Sequence, residues 1–234
     1  MIVLALDTTS RTGSAACVRD GAVLADVSGD PAQTHGQRLP GELMTLLAKA
    51  GVALDAIDLL AVAAGPGSFT GLRIGIAAVQ GLAMATGKPV VPVSTFEALA
   101  YAAASDRIDD RLIVPWVDAQ RGQVFAALYE ARGLEQITEP TSLPPGETLD
   151  VLLAHTARAP LRFLGDGAVR YAPEITARLG SRADINPVVP ALAVPIARIA
   201  AAAPGRAVPP HAVAPIYVRR PDAELARDRR AQGA

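Results

Sequence analysis

Apolar runs separated by short polar turns begin the chain, and they predict strands joined by hairpins. Residues 2–6 are apolar and end at Asp7, and a polar turn leads from there into a second run, residues 14–18. Asp20-Gly21 is a two-residue hairpin signal, and residues 22–27 form the third run. The pattern predicts three consecutive strands, with Asp7 at the tip of the first hairpin.

The first helix is predicted over residues 34–50. Thr34 and Gln37 have the spacing of a capping box, Pro40 permits a later start, and Gly51 is a natural C-terminal stop. The apolar surface of this helix is wider than a single core contact needs, and it comprises Leu39, Pro40, Leu43, Met44, Leu46, Leu47 and Ala50.

A second helix, residues 72–85, is apolar almost all round. Its polar residues are Arg73 and Gln80, seven positions apart on one stripe. Such a helix is either a central helix, buried on every side, or part of a subunit interface. The pattern leaves both explanations open.

A glycine-rich loop precedes this second helix. Gly65, Gly67 and Gly71 permit sharp turns and close approach, and Ser68 and Thr70 add hydroxyl groups at the helix start. The loop can hold phosphate, or it can be a tight turn from strand to helix. It lacks the Lys-Ser/Thr ending of a Walker A loop and the spacing of a dinucleotide fingerprint.

The second half repeats the plan of the first. Residues 112–117 form an apolar run that ends at Asp118, and residues 123–129 return after a turn. This repetition predicts a duplicated domain, with the boundary between residues 100 and 111.

Four further elements are predicted around this repeat. Ser94 and Glu97 have capping-box spacing and start a helix that runs toward Ala104. Residues 148–157 and 191–203 are predicted as helices, and residues 162–164 as a strand that ends at a Gly-Asp-Gly turn.

Composition narrows the class of protein. The chain has 234 residues, of which 50% are hydrophobic, so it can bury the cores of two compact domains. The single Cys17 excludes an internal disulfide, and three scattered histidines lack the spacing of metal ligands. A net charge of -1 with dispersed basic residues gives no general electrostatic footprint for RNA.

The sequence also carries expectations about location. No basic segment precedes the first apolar run, and we expect no membrane-spanning segment and a cytoplasmic protein. Residues 221–234 mix basic and acidic side chains with few large apolar ones, which predicts a flexible tail rather than a binding arm.

The glycine loop carries a resemblance to a known family. The TsaB (YeaZ-type) proteins of bacterial tRNA threonylcarbamoyladenosine synthesis have a signature that resembles Gly65-Pro66-Gly67-Ser68-Phe69-Thr70-Gly71-Leu72-Arg73-Ile74-Gly75. Their opening strand and turn resemble Leu4-Ala5-Leu6-Asp7-Thr8-Thr9, and residues 117–125, 163–168 and 214–219 extend the likeness. Gln120, Gln123 and Phe125 depart from it, since the family more often carries Arg, Glu and Tyr there.

The resemblance implies an α/β fold of the actin-like ATPase superfamily. We expect two tandem actin-like, ribonuclease H-like domains, residues 1–105 and 106–220, each a mixed sheet with flanking helices. In that superfamily two such domains close over a nucleotide. The residues expected at the phosphates are Asp7, Thr8, Gly65, Gly67, Ser68, Thr70 and Gly71. For Asp7 the alternative is a carboxylate that bonds the amides of its own turn.

The resemblance also implies a subunit without catalysis of its own. The catalytic relative TsaD carries a His-x-x-x-His metal pair where this chain has His35 and Leu39, and one imidazole cannot replace two ligands. The expected partners are TsaD and the ATPase subunit TsaE, with tRNA bound through the complex and a homodimer when the chain is free. ATP or ADP and a metal ion then belong to the complex, and this chain requires no cofactor. The alternative function is a nucleotide-dependent kinase or ATPase of the actin-like superfamily.

The two over-apolar helices are the predicted partner-binding surface, packed against the corresponding helices of TsaD. The residues assigned to it are His35, Leu39, Pro40, Leu43, Met44, Leu47, Arg73, Ile74, Gly75, Ala78 and Leu82.

Overall fold

The computed structural model describes residues 1–106 and 111–219. The predicted tail at residues 221–234 lies outside the described residues, and so does part of the segment in which the domain boundary was expected.

A five-stranded mixed sheet forms the first half, in the order β3-β2-β1-β4-β5. The first three strands are antiparallel neighbours, as the hairpin signals predict, while β4 and β5 run parallel to β1. Asp20 and Gly21 have φ of 49° and 84°, the left-handed values that a tight two-residue hairpin turn requires. The strands are β1 (Ile2–Asp7), β2 (Ser14–Arg19), β3 (Ala22–Ser28), β4 (Leu59–Gly65) and β5 (Val90–Ser94).

Three helices flank this sheet: α1 (His35–Ala50), α2 (Phe69–Thr86) and α3 (Thr95–Asp106). The capping box of Thr34 and Gln37 starts α1, and Gly51 ends it in the left-handed conformation. The helix α2 begins three residues earlier than predicted, because the Ser68 hydroxyl accepts the Gly71 N–H at 3.2 Å and caps it. At the start of α3 the Ser94 hydroxyl accepts the Phe96 N–H at 3.2 Å, and the Glu97 carboxylate pairs with Arg206.

The second half has a five-stranded sheet of its own, in the order β10-β9-β6-β7-β8. Its strands are β6 (Leu112–Asp118), β7 (Val124–Ala126), β8 (Thr141–Leu143), β9 (Leu161–Leu164) and β10 (Ala183–Ile185), and the helices beside it are α4 (Pro145–Leu153), α5 (Asp166–Arg170) and α6 (Ala172–Leu179). The strand β7 is shorter than predicted, and α4 both begins and ends before the predicted 148–157, since Pro145 occupies its first turn.

The two halves are joined by a common apolar core. Phe96 and Leu99 of α3 pack in one buried cluster with Val117 and Leu164 of the second sheet. A last helix, α7 (Ala193–Ala202), contacts β1, β2 and β4, so this part of the predicted second domain lies on the first sheet. Two mixed sheets with flanking helices confirm the predicted fold class.

The helix α2 meets the length and composition expected of a membrane span, with a mean hydropathy of 1.2 over 18 residues. This corrects the expectation that no segment would do so. The helix nevertheless packs through Leu72, Ile76, Val79 and Ala83 into the chain's own core. Since 33% of it is buried, α2 is not the helix buried on every side that one explanation of the pattern required.

Candidate functional site

A cleft lies between the two aspartate hairpins and encloses a cavity of about 690 Å³. Its first wall comes from the turn after β1, the segment before α1 and the start of α2. Its second wall comes from the turn after β6 and from Asp166. A volume of this size is within the range of about 300–1,000 Å³ that small-molecule sites occupy.

Asp7 lies behind the first wall. Its Oδ1 accepts the Thr9 N–H at 2.8 Å and the Thr9 hydroxyl at 2.6 Å, and the residue is 2% exposed. Burial raises the pKa of Asp7, and the hydrogen bonds from Thr9 oppose that rise. The carboxylate therefore bonds its own turn, which is the alternative that the sequence left open.

The glycine loop packs directly onto this turn. A Cβ on Gly71 would lie 2.0 Å from the Thr8 carbonyl oxygen, and a Cβ on Gly67 would lie 2.6 Å from the Thr9 Cβ. The Thr8 hydroxyl donates to the Gly71 carbonyl at 2.8 Å, and the Ser68 N–H donates to the Thr9 carbonyl at 2.8 Å. The close approach that these glycines allow is thus made to the chain's own first hairpin.

The predicted nucleotide contacts divide into two groups. Asp7, Thr8 and Gly65 do not line the cavity, whereas Gly67, Ser68, Thr70 and Gly71 do. Ser68 and Thr70 are exposed and present their hydroxyl groups at the helix start. A phosphate contact at any of these residues stays a prediction.

The second hairpin leaves its aspartate facing the cavity. Asp118 Oδ2 accepts a hydrogen bond from the exposed Arg170 at 2.6 Å and another from the Gln120 amide at 3.0 Å. The Asp118 N–H donates to Asp166 Oδ1 at 2.9 Å. Burial raises the pKa of Asp166, and the nearby Asp118 carboxylate adds to the rise.

His35 stands at the start of α1, where it lines the cavity. Arg38 donates to His35 Nδ1 at 2.7 Å, so Nε2 carries the proton and donates to the Ser10 carbonyl at 3.0 Å. Both ring nitrogens are therefore engaged. Within residues 1–106 and 111–219, no group of three or more His, Cys, Asp or Glu side chains could hold a metal ion.

Apolar side chains that face outward form stripes along α1 and α2. We define the helix face as the exposed and half-buried apolar residues Pro40, Met44, Leu47, Ala48, Ile74, Ala77, Ala78, Leu82, Met84 and Ala85. Met44 and Met84 are 74% and 78% exposed. The spacing of three or four residues places each set on one side of its helix.

Known proteins share both halves of this architecture. The chain is 32% identical to the tRNA threonylcarbamoyladenosine biosynthesis protein TsaB of Bacillus subtilis over 188 residues, which cover 80% of each protein. It is 38% identical to the Escherichia coli TsaB over 130 residues, 56% of this chain and 55% of that protein. The family model described as TsaD, tRNA N6-adenosine threonylcarbamoyltransferase, matches residues 29–158. The chain belongs to the TsaB family.

A solved TsaB-type structure supports this assignment in three dimensions. YeaZ from Pseudomonas aeruginosa superposes with a TM-score of 0.75 at 30% identity, covering 92% of this chain and 99% of that one. The family resemblance in the sequence is confirmed.

Some residues that were predicted for the partner surface do not lie on the helix face. Leu39 and Leu43 are 4% and 9% exposed and belong to the chain's own core. Gly75 is buried, with the Thr8 hydroxyl 2.1 Å from the position of a Cβ, and His35 faces the cavity. The remaining members, Pro40, Met44, Leu47, Arg73, Ile74, Ala78 and Leu82, are exposed or half-buried, and their role as partner contacts stays a prediction.

Sequence reasoning missed one group of cavity residues in this TsaB-type chain. Phe69 and Tyr217 stack with ring centroids 5.6 Å apart, and the Arg73 guanidinium lies 3.9 Å from the Phe69 centroid. Arg219 reaches across to the second hairpin. The family resemblance includes residues 214–219, but the apolar pattern of this segment is too short to predict where the segment packs.

Proposed function

We propose that this chain is a non-catalytic subunit of tRNA threonylcarbamoyladenosine formation. It binds TsaD and supports the transfer of threonylcarbamoyl to the adenosine 3′ of the tRNA anticodon. TsaE is the further protein partner, and tRNA is reached through the complex in the cytoplasm. Nucleotide and metal ion are contributed by the other subunits, so this chain needs no cofactor of its own.

The helix face is the observation that carries the proposal. Large apolar patches on a folded chain mark interaction sites, because each exposed methionine or leucine retains an unfavourable contact with water. Met44 and Met84 are among the most exposed large apolar side chains in the described residues. The helices α1 and α2 pack on each other, so their stripes can meet one partner.

The occupant we propose is the corresponding helix pair of TsaD, which would complete a four-helix contact. The match of residues 29–158 to the TsaD family model supports it, because that match includes both α1 and α2. Free protein is expected to cover the same face by forming a homodimer.

The geometry at His35 supports the non-catalytic role. A zinc- or iron-binding histidine must offer a free ring nitrogen. Here Arg38 and the Ser10 carbonyl occupy both nitrogens, and the residue four positions on is the buried Leu39. Purified chain supplied with tRNA and threonylcarbamoyl adenylate is expected to form no product until TsaD is added; product from this chain alone would refute the role.

The partner surface is tested by Met44→Glu. A carboxylate at this position stays in water in the monomer but is buried unpaired wherever the helix face is covered, in the homodimer as in the complex, which costs several kcal/mol. Calorimetry is expected to show an affinity for TsaD lowered by at least about 100-fold. The matched control is Val188→Glu, since Val188 is 65% exposed on another part of the chain.

Circular dichroism of both variants separates docking from folding. An intact fold with unchanged TsaD affinity for Met44→Glu would place the interface elsewhere. An equal loss for Val188→Glu would show a nonspecific effect of charge.

The cavity favours a second candidate, a kinase or ATPase of the actin-like superfamily. Its volume of about 690 Å³ is sufficient for a nucleotide. An enzyme of that class should bind and hydrolyse ATP alone, so titration of the purified chain with ATP and magnesium distinguishes the two functions.

A further inference from the structure

One segment bridges the cleft after the last helix. We define the strap as residues 213–219. Its first part is bound to the first half: the Ile216 N–H donates to the Ala64 carbonyl at 2.6 Å, and the Gln80 amide donates to the Val213 carbonyl at 3.2 Å. Gly65 makes the crossing possible, because a Cβ there would lie 2.7 Å from the Ile216 carbonyl oxygen.

The middle of the strap adds a second anchor on the same half. Tyr217 stacks on Phe69, and its hydroxyl accepts a hydrogen bond from Arg73 Nε at 3.2 Å. Both aromatic residues lie at the start of α2 or over it, so the strap follows the first wall of the cleft up to this point.

Arg219 then crosses to the second half. Its guanidinium donates to Gln123 Oε1 at 2.7 Å and to the Ala119 carbonyl at 3.0 Å, and it lies 5.8 Å from the centroid of Phe125. All three of these residues belong to the second hairpin or its turn. A single side chain thus links the tip of the second hairpin to the glycine-loop side of the cleft.

We propose that the strap is a releasable clasp that limits the opening of the cleft. The shared apolar core joins the two halves permanently, since it contains fully buried side chains from both. The Arg219 contact differs in kind, because both of its acceptors are neutral and the residue is half-buried. Two hydrogen bonds from one half-buried side chain, which water can replace, contribute far less than the burial of the shared core and can open without unfolding it. Tyr217 and Arg219 both line the cavity, so release of the clasp widens it.

The clasp is tested by measuring the width of the cleft with spin labels. Gln33→Cys lines the first wall, and Val169→Cys is exposed on α5 beside the second. The native Cys17 is fully buried and does not compete for label. Pulsed dipolar spectroscopy of the doubly labelled chain then gives the distribution of distances between the halves.

Two variants open the clasp from opposite ends, Arg219→Ala on the strap and Gln123→Ala on the second hairpin. The matched control is Arg178→Ala, which removes an ion pair with Asp150 inside the second half. We expect both clasp variants to shift the distances upward and broaden them, while the control reproduces the parent. Amide exchange at residues 118–125 should accelerate roughly tenfold in the clasp variants.

Circular dichroism establishes that each variant is folded. Folded Arg219→Ala and Gln123→Ala proteins with the parental distance distribution would overturn the proposal. So would an Arg178→Ala protein that opens as widely as they do.

Discussion

Asp7 and Asp118 end the first strand of two hairpins that share one plan, yet the chain encloses the first aspartate and leaves the second at the cavity wall. A glycine-rich turn packs against each hairpin. In the first half the contact falls beyond the aspartate, on Thr8 and Thr9. In the second half Gly165 packs on the Trp116 carbonyl, two residues before the aspartate, and Gly167 packs on the amide nitrogen of Asp118 itself.

This difference of a few residues decides what each aspartate can do. The loop in the first half covers the hairpin tip, so Asp7 loses its water and bonds its own turn. The turn in the second half leaves residues 120–122 exposed. The Asp118 side chain is 8% exposed, and it lines the cavity and pairs with the exposed Arg170. A repeated sequence pattern therefore predicts a repeated backbone but not a repeated site.

The largest expected effect comes from filling the contact that closes the first hairpin. In Gly71→Ala the new methyl group meets a backbone oxygen 2.0 Å away, and neither side can move cheaply. We expect a loss of about 3 kcal/mol in the free energy of unfolding, measured by urea denaturation. The control is Gly81→Ala on the same helix, where a Cβ meets nothing within 4 Å.

The control should gain about 0.5–1 kcal/mol, because alanine is the better helix former. If Gly71→Ala unfolds like the parent but binds ATP less well, the loop is a ligand site rather than a packing contact.

The second effect concerns the arginines that hold each hairpin. Arg38 is 8% exposed and binds Glu42, His35 and the Thr12 carbonyl, so Arg38→Ala leaves three half-buried groups without their donor. We expect a loss of about 2 kcal/mol by urea denaturation, nearly independent of salt. A loss that disappears in high salt would mean that Arg38, like the exposed Arg170, acts mainly through an ion pair that salt screens.

Much of this architecture could be predicted from local signals. The Asp20-Gly21 turn, the Thr34 capping box and the Gly51 stop appear where the sequence places them. These signals involve neighbours in sequence, and the physical reason for each is complete within a few residues.

The candidate site depended on contacts between distant segments and was harder to predict. No local sequence signal predicts that Arg38 is buried, and its burial depends on Gly29, where a Cβ would overlap its guanidinium. Arg219 meets Gln123 across 96 positions. The composition of α2 showed surplus apolar surface but not which side of the helix the sheet would cover.

A smaller effect should appear when the buried aspartate is made neutral. Burial raises the pKa of Asp7 above its ordinary value of 3.8, so the native state favours the protonated form. Preferential protonation of Asp7 in the native state therefore adds to the free energy of unfolding, a contribution that Asp7→Asn lacks. This contribution is complete below pH 3.8 and is lost as the pH rises through the native pKa of Asp7. Urea denaturation of both proteins across this pH range should show the free energy of unfolding of the parent falling relative to that of Asp7→Asn as the pH rises. A difference that grows in the opposite direction would mean that the folded protein stabilises the charged carboxylate.

The smallest effect is expected at the second hairpin. Arg170 is exposed, so Arg170→Ala removes an ion pair that water and salt already weaken. We expect a slight fall in thermal midpoint at low ionic strength that vanishes when salt is added, in contrast to Arg38→Ala. Asp118 remains held by Gln120, which donates to its carboxylate from both backbone and side chain. A large, salt-independent loss would mean that Arg170 stabilises the second hairpin as strongly as Arg38 stabilises the first. The exposure of the two arginines would then not explain the difference between the hairpins.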